Sequence, residues 1–307
     1  MEQPSQLSYE QQVQRLNNLG IKMDEDHPER DIQVLASIGY YKLKEFAMPF
    51  NKDSNVSIHF ENLSFKNLLT RYYQDKNLRI EILHAIESIE VKLRTVFAYT
   101  LGNRFGAFGY LKFSNWCDRN KSKFKIEKRQ YYFKRDVLKK VRKSRLPDLT
   151  YKKNLTDDNF LTVWLVTDAL TFGDVLSLLE IMSKNNLQRI SHQFDCSPNE
   201  LLSWLGCLNL VRNVCCHNSD LLDFDFKTKP IIPNTYKSFI YKNQKHYSNK
   251  IAVSVFILMQ LMKSVNAKYS FLRIEKSFSS VIKHSDHLAQ QLGFSDHNAI
   301  SKIRINS

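Results

Sequence analysis

Glycine and proline are both scarce, 8 and 7 in 307 residues. So few chain-bending residues leave little room for the tight turns of a many-stranded sheet and favour long helices. The 5 cysteines, Cys117, Cys196, Cys207, Cys215 and Cys216, are odd in number and irregular in spacing. That excludes a fully paired disulfide framework and gives no paired C-x-x-C set for zinc. A membrane-length apolar run is missing too: the longest, Ile251–Met262, falls far short of the ~20 residues a span needs. The opening MEQPSQLSYE lacks the basic-then-apolar pattern of a secretory signal. No Gly-rich phosphate loop, nucleophile elbow or glycosidase-type carboxylate pair occurs. The expectation is a cytoplasmic protein with reduced thiols, no metal, no cofactor and no membrane partner.

What is abundant is positive charge. Lys plus Arg number 45 against 31 acidic residues, a net +14. Between Asp118 and Arg145 there are 13 basic and 3 acidic residues, so one block carries most of the excess. Such a block favours a polyanionic partner through Coulomb attraction and counterion release. Tyr131, Tyr132 and Phe133 interleave with its cations, and stacking surfaces beside phosphate-binding charge suit single-stranded or looped RNA. The residues expected to bind are Lys128, Arg129, Tyr132, Lys134, Arg135, Lys139, Lys140, Arg142 and Lys143. A buried stripe on a surface helix is the competing reading of the same aromatics.

The apolar fraction, 43%, is that of a globular chain, and its periodicity is helical. Leu7, Val13, Leu16 and Leu19 form one stripe, stopped at Gly20. A second stripe runs through Ile32, Leu35, Ile38 and Leu43 to a break at Met48-Pro49-Phe50. Residues 51–62 read as a loop or short hairpin. Ser64 then opens the strongest helical signal, unbroken to Gly102 apart from a reset near Gln74–Asn77 that predicts two consecutive helices or one bent one. Gly102–Gly109 reads as a turn, Lys128–Lys143 as a helix, and Pro147 as the start of a polar loop. Further helices are predicted over Thr162–Leu170 and Val175–Lys184. Ser197-Pro198-Asn199-Glu200 has the form of a capping box opening a helix to about Asn218. A proline-bounded loop, Lys229–Pro233, precedes two helices near Asn249–Val265 and Tyr269–Ser285. The fold class expected is all-α.

The run Leu210 to Ser219 carries the best candidate chemistry. Arg212 and His217 are five residues apart, which on a continuous helix is ~500°, or about 140° after one turn, so they do not share a face. They converge only if the helix ends before His217 or a second copy completes the site. Asn213 and His217, four apart, do share a face. An imidazole can take the 2′-hydroxyl proton or protonate the 5′ leaving oxygen of RNA, while a guanidinium holds the phosphate bidentately. Glu87, Glu90 and Arg94 lie at i, i+3 and i+4 spacings on one helix, as partners of that site or as internal salt bridges. His84 reads as a packed histidine.

Several blocks in order, LSYEQQVQRLNNLGI, LASIGYYKLKEFAMPF, the run from Ser64 to Leu111, TFGDVLSLL and LLSWLGCLNLVRNVCCHN, resemble the Abi (abortive infection) family of phage-resistance proteins of the AbiD and AbiF type. The resemblance covers roughly residues 5–225. It implies membership of the HEPN helical superfamily and a helical bundle at 61–226 with a basic insertion at about 112–158. An N-terminal helical region at 1–60 and a C-terminal helical pair within 227–307 flank that bundle. It further implies a metal-independent endoribonuclease, toxin-like in action, with Arg212 and His217 as catalytic pair, Asn213 assisting, and Glu87, Glu90 and Arg94 behind them. A homodimer with facing signatures is the implied assembly and RNA the implied partner. Alternatives are an inactive RNA-binding module of the same fold and a phage-sensing helical adaptor. The sequence departs from the family pattern at Asn218, where a second His is usual, at Asp220 in place of an Arg, and at Asp223 in place of an Asn. Carboxylates beside a phosphate site repel substrate.

Overall fold

The computed structural model describes residues 5–24, 26–52, 58–143, 148 and 151–304. Its regular structure is helical, and among the described residues the only sheet is a two-residue hairpin, β1 (Lys242–Asn243) with β2 (His246–Tyr247). Three short helices open the chain: α1 (Tyr9–Asn18), α2 (Pro28–Ile38) and α3 (Tyr40–Ala47). Ser8 caps α1 in a reciprocal capping box with Gln11. Gly20 stops it at φ +96, where a Cβ would sit 2.3 Å from the Phe60 carbonyl oxygen, so only glycine fits the turn.

The expected reset near Gln74 is not a break. α4 runs uninterrupted over Phe65–Phe105, 41 residues, about 60 Å of helix. Ser64 caps its start, and it passes through Gly102 to end at Phe105 with Gly106 as its C-cap, three residues beyond the turn that Gly102 was expected to begin. The polar residues at the reset are buried: Arg71, Asp75 and Arg79 lie between two apolar clusters. The smaller cluster joins α1–α3 to the start of α4 through Leu16, Leu35, Phe46, Phe60 and Leu68. The larger begins at Leu78 and takes in the rest of the chain.

Around α4 pack α6 (Val163–Ala169), α8 (Lys184–His192), α9 (Pro198–Cys216), α10 (Ile251–Val265) and α11 (Leu272–Ile282). α10 is apolar on nearly every face, as a helix enclosed by others must be. α5 (Lys123–Lys143) lies against α6, five residues longer at its start than the Lys128 expectation. α7 spans Phe172–Leu179. It ends early because Lys184 does not extend it; that residue begins α8, which the sequence reading missed. Last comes α12 (Asp286–Gln291). Arg145 and Pro147, part of the expected basic block and loop, lie outside the described residues. No described helix is long and apolar enough to cross a membrane.

Candidate active site and its neighbours

α9 starts as its sequence requires: Ser197 Oγ accepts from the Glu200 amide at 3.3 Å, while Glu200 accepts from the Ser197 amide at 2.9 Å. Leu201, Leu205 and Leu208 face the core. The helix ends at Cys216, and His217 is its C-cap, with φ −89 and ψ 9 and an N–H still bonded to the Asn213 carbonyl. Asn218 follows in the left-handed region at φ 56. The helix therefore terminates between Arg212 and the residue after His217. His217 is exposed.

Arg212 lines an open groove of about 550 Å³ between α4 and α9, together with Ile80, His84, Glu87, Glu90, Arg94 and Cys216. His217 is not among the lining residues. Asn213 accepts from the Arg212 guanidinium at 3.4 Å. Glu90 is paired with Arg94, which also donates to the Leu170 carbonyl at 2.6 Å. Glu87 is exposed and makes no ion pair among the described residues. Thus the three α4 residues share a cavity with Arg212, and two of them, Glu90 and Arg94, are paired with each other.

The sequence reading of His84 needs correcting, because it is exposed on the groove and not packed away. Its Nδ1 lies 3.2 Å from the Tyr269 hydroxyl, which donates to the Glu81 carbonyl at 3.3 Å. The single hydroxyl proton goes to that carbonyl, which leaves the Tyr269 oxygen to accept from Nδ1–H.

Behind α9 the chain is clasped by α4. Asp75 Oδ1 accepts from the amides of Leu221 and Leu222 at 2.8 and 3.0 Å, and its Oδ2 from Arg79 Nε at 2.7 Å. Arg79 also donates to the Asn218 side-chain oxygen, and Lys42 donates to the Asn218 carbonyl at 2.7 Å. Arg71 pairs with Asp223 at 2.5 Å. Burial pushes the Asp75 carboxyl up, a tendency these donors oppose. Asp220 is pushed up to about 8, by burial first and then by the charges of Asp223 and Asp75. The two carboxylates that seemed set to repel a phosphate are therefore muted, one by an arginine and the other by holding its proton near neutrality. Arg71, Asp75 and Arg79 escaped the sequence reading as site elements. The signal was the reset itself, polar residues at i, i+4 and i+8 where the stripe should be apolar.

On α5, Phe133 and Val137 turn inward, Phe133 against Phe113 and Tyr110. Tyr131 and Tyr132 face out, so the two readings of the aromatics divide between neighbours. Arg129 donates to the Ser177 carbonyl at 3.0 Å and Lys140 pairs with Asp174, fastening α5 to α7. Arg135 is bonded to Asp136 and stacked on Tyr132, and Lys134 lies over the Phe160 ring. Lys128, Lys139, Arg142 and Lys143 make no hydrogen bond or ion pair among the described residues; Lys128, Lys139, Arg142 and Lys143 are exposed.

Residues 33–223 match the Abi-like protein family. This span is more than half of the chain. The chain belongs to the Abi-like family. It takes in the groove, the clasp and the Arg212–His217 segment. No curated protein and no solved structure matches the chain.

Proposed function

We propose that this Abi-like protein serves abortive infection, an anti-phage role that its family suggests, and that it acts as a HEPN-type endoribonuclease. The observation carrying the reading is the end of α9: Arg212 opens onto a groove, and the helix stops at an exposed histidine one turn later. Arg212 would hold the scissile phosphate and offset the charge growing on it. One imidazole takes the 2′-hydroxyl proton, the freed oxygen attacks phosphorus, and the bond to the 5′ oxygen breaks. A second imidazole protonates that leaving oxygen, giving a cyclic phosphate and a free 5′-hydroxyl. His84 shares the groove with Arg212, and His217 stands beyond it. A second copy across a twofold axis would bring its own His217 to the groove, which makes a homodimer the natural working unit.

Labelled RNA incubated with purified protein in EDTA tests this. Cyclic-phosphate products that fall about 10²–10⁴-fold in His217→Ala and Arg212→Ala support it, and intact RNA with wild-type protein overturns it. A second reading, an RNA-binding module without cleavage, is favoured by the free cations on α5 beside exposed Tyr131 and Tyr132. Under it, binding weakens steeply with salt, and neutralising Lys128, Lys139, Arg142 and Lys143 flattens that dependence. A phage-sensing adaptor would show neither behaviour.

A further inference from the structure

Past Arg94, the face of α4 turned away from the Arg212 groove borders a second depression. Between the end of α4 and α8 lies a groove of about 680 Å³, lined by Tyr99, Asn103, Arg104, Arg189 and His192 among others, with no Asp or Glu in its lining. Arg104 is held in place by the side-chain oxygen of Asn186, itself buried and anchored to the Trp116 carbonyl at 3.0 Å. Arg189 and His192 are exposed and have no hydrogen-bond or ion-pair partner among the described residues. On its other side Tyr99 borders a second hollow, of about 490 Å³, that reaches Trp164.

Tyr99 is 73% exposed and Trp164 51% exposed. The other two tryptophans are buried and donate their indole N–H to carbonyls, Trp116 to Tyr110 and Trp204 to Ile231. Trp164 has no such bond among the described residues. Its six-membered ring lies against α4 at Gly102, where a Cβ would come within 3.7 Å of it. Two large rings are thus held outward, Tyr99 on the cationic groove and Trp164 in the hollow next to it.

We propose that this groove is a binding subsite for unpaired RNA, with bases stacked on Tyr99 and Trp164 and phosphates on Arg104 and Arg189. The lining of the Arg104 and Arg189 groove, rich in donors and free of carboxylates, complements phosphodiesters, while the hollow that holds Trp164 carries Asp168 and suits a base better than a phosphate. Exposed rings give every base a stacking surface, which a duplex with its bases already stacked does not use. Asn103 lies about 14 Å along the helix from Arg94 and half a turn round it, so a strand reaching both grooves would have to cross α4. The proposal rests on the RNA reading above.

The test uses the full chain carrying His217→Ala, so that substrate persists, and fluorescence anisotropy with a labelled 12-nucleotide single strand, the same strand in duplex, and AMP as competitor. Tyr99→Ala and Trp164→Ala should each weaken single-strand binding roughly tenfold, with Trp164→Phe largely restoring it. Arg189→Gln should lower the salt slope by about 0.7. Duplex should bind less tightly, and AMP should compete only weakly if a strand is the ligand. Unchanged single-strand affinity in Tyr99→Ala with Trp164→Ala overturns the proposal. So does a switch from dimer to monomer in sedimentation without loss of RNA affinity, which would make the face a contact between copies. Binding that depends on the two rings, with a wild-type chain that never cleaves RNA, leaves the subsite standing and removes the nuclease. Cleavage by the chain with His217 intact that is unaffected by either ring substitution does the reverse.

Discussion

Arg212 and His84 share one groove but owe their places to different neighbours. Arg212 rides on the regular face of α9 and borrows the Asn213 oxygen. His84 is oriented from outside its helix, by a tyrosine that arrives from the segment between α10 and α11. A planar guanidinium grips a phosphate through two parallel N–H bonds, and an ammonium cannot. Arg212→Lys is therefore expected to recover little of the activity lost in Arg212→Ala when initial rates of RNA cleavage are compared. For His84 the tautomer argument gives a sharper outcome. Tyr269→Phe removes the acceptor for Nδ1–H while leaving the ring in place, so cleavage should fall less than in His84→Ala, and the pH–rate profile should move. A profile identical to wild type in both variants would show that His84 takes no part. No sequence pattern links positions 84 and 269, which is why His84 read as packing.

Most of the helices were legible because their apolar residues recur at 3.6 and their caps are chemical: Ser197 with Glu200, Ser64 before α4, Gly20 after α1. The segment from α7 to α8 was not. Ile181 and Met182 continue the apolar pattern across the turn, and nothing marks the stop until Ser183. The reset in α4 was visible but its meaning lay in tertiary contacts, since the partners of Arg71, Asp75 and Arg79 lie some 140–150 residues further on. That clasp can be tested by stability. Asp75→Ala strands Arg79 and two buried amides, and unfolding in urea should show a loss of about 3–5 kcal/mol. Asp220 works in the opposite sense. Its folded pKa of about 8 exceeds the ordinary 3.8, so between those values the folded state holds a proton that the unfolded state has released. Stability then falls as pH rises through that window. Asp220→Asn removes the dependence and still accepts from the Asp223 amide, so its advantage in Tm over wild type should grow from pH 5 to pH 8.5. An advantage that is flat across this range would mean that Asp220 is ionised in the fold.

At the scale of the molecule, positive charge and unfilled grooves fall on different helices. The free cations of α5 flank exposed tyrosines, the carboxylate-free groove lies at the far end of α4, and the Arg212 groove lies between α4 and α9. Their union into one machine depends on whether His217 serves its own chain's groove or that of a second copy. Mixing two inactive variants separates the cases. In Arg212→Ala every chain retains its histidine, and in His217→Ala every chain retains its arginine. If a site takes its arginine from one chain and its histidine from the other, a mixed dimer has one intact site out of two. With random exchange half the dimers are mixed, so cleavage should return to about a quarter of the wild-type rate, as a twofold isologous arrangement requires. If both residues act within one chain, each site in the mixture still lacks one of them and activity stays at the level of the single variants. The mixture must first be exchanged under conditions in which sedimentation shows dimers re-forming. A quarter of the rate then establishes the shared site, and none establishes a site closed within each chain, where His84 would have to supply the second proton carrier.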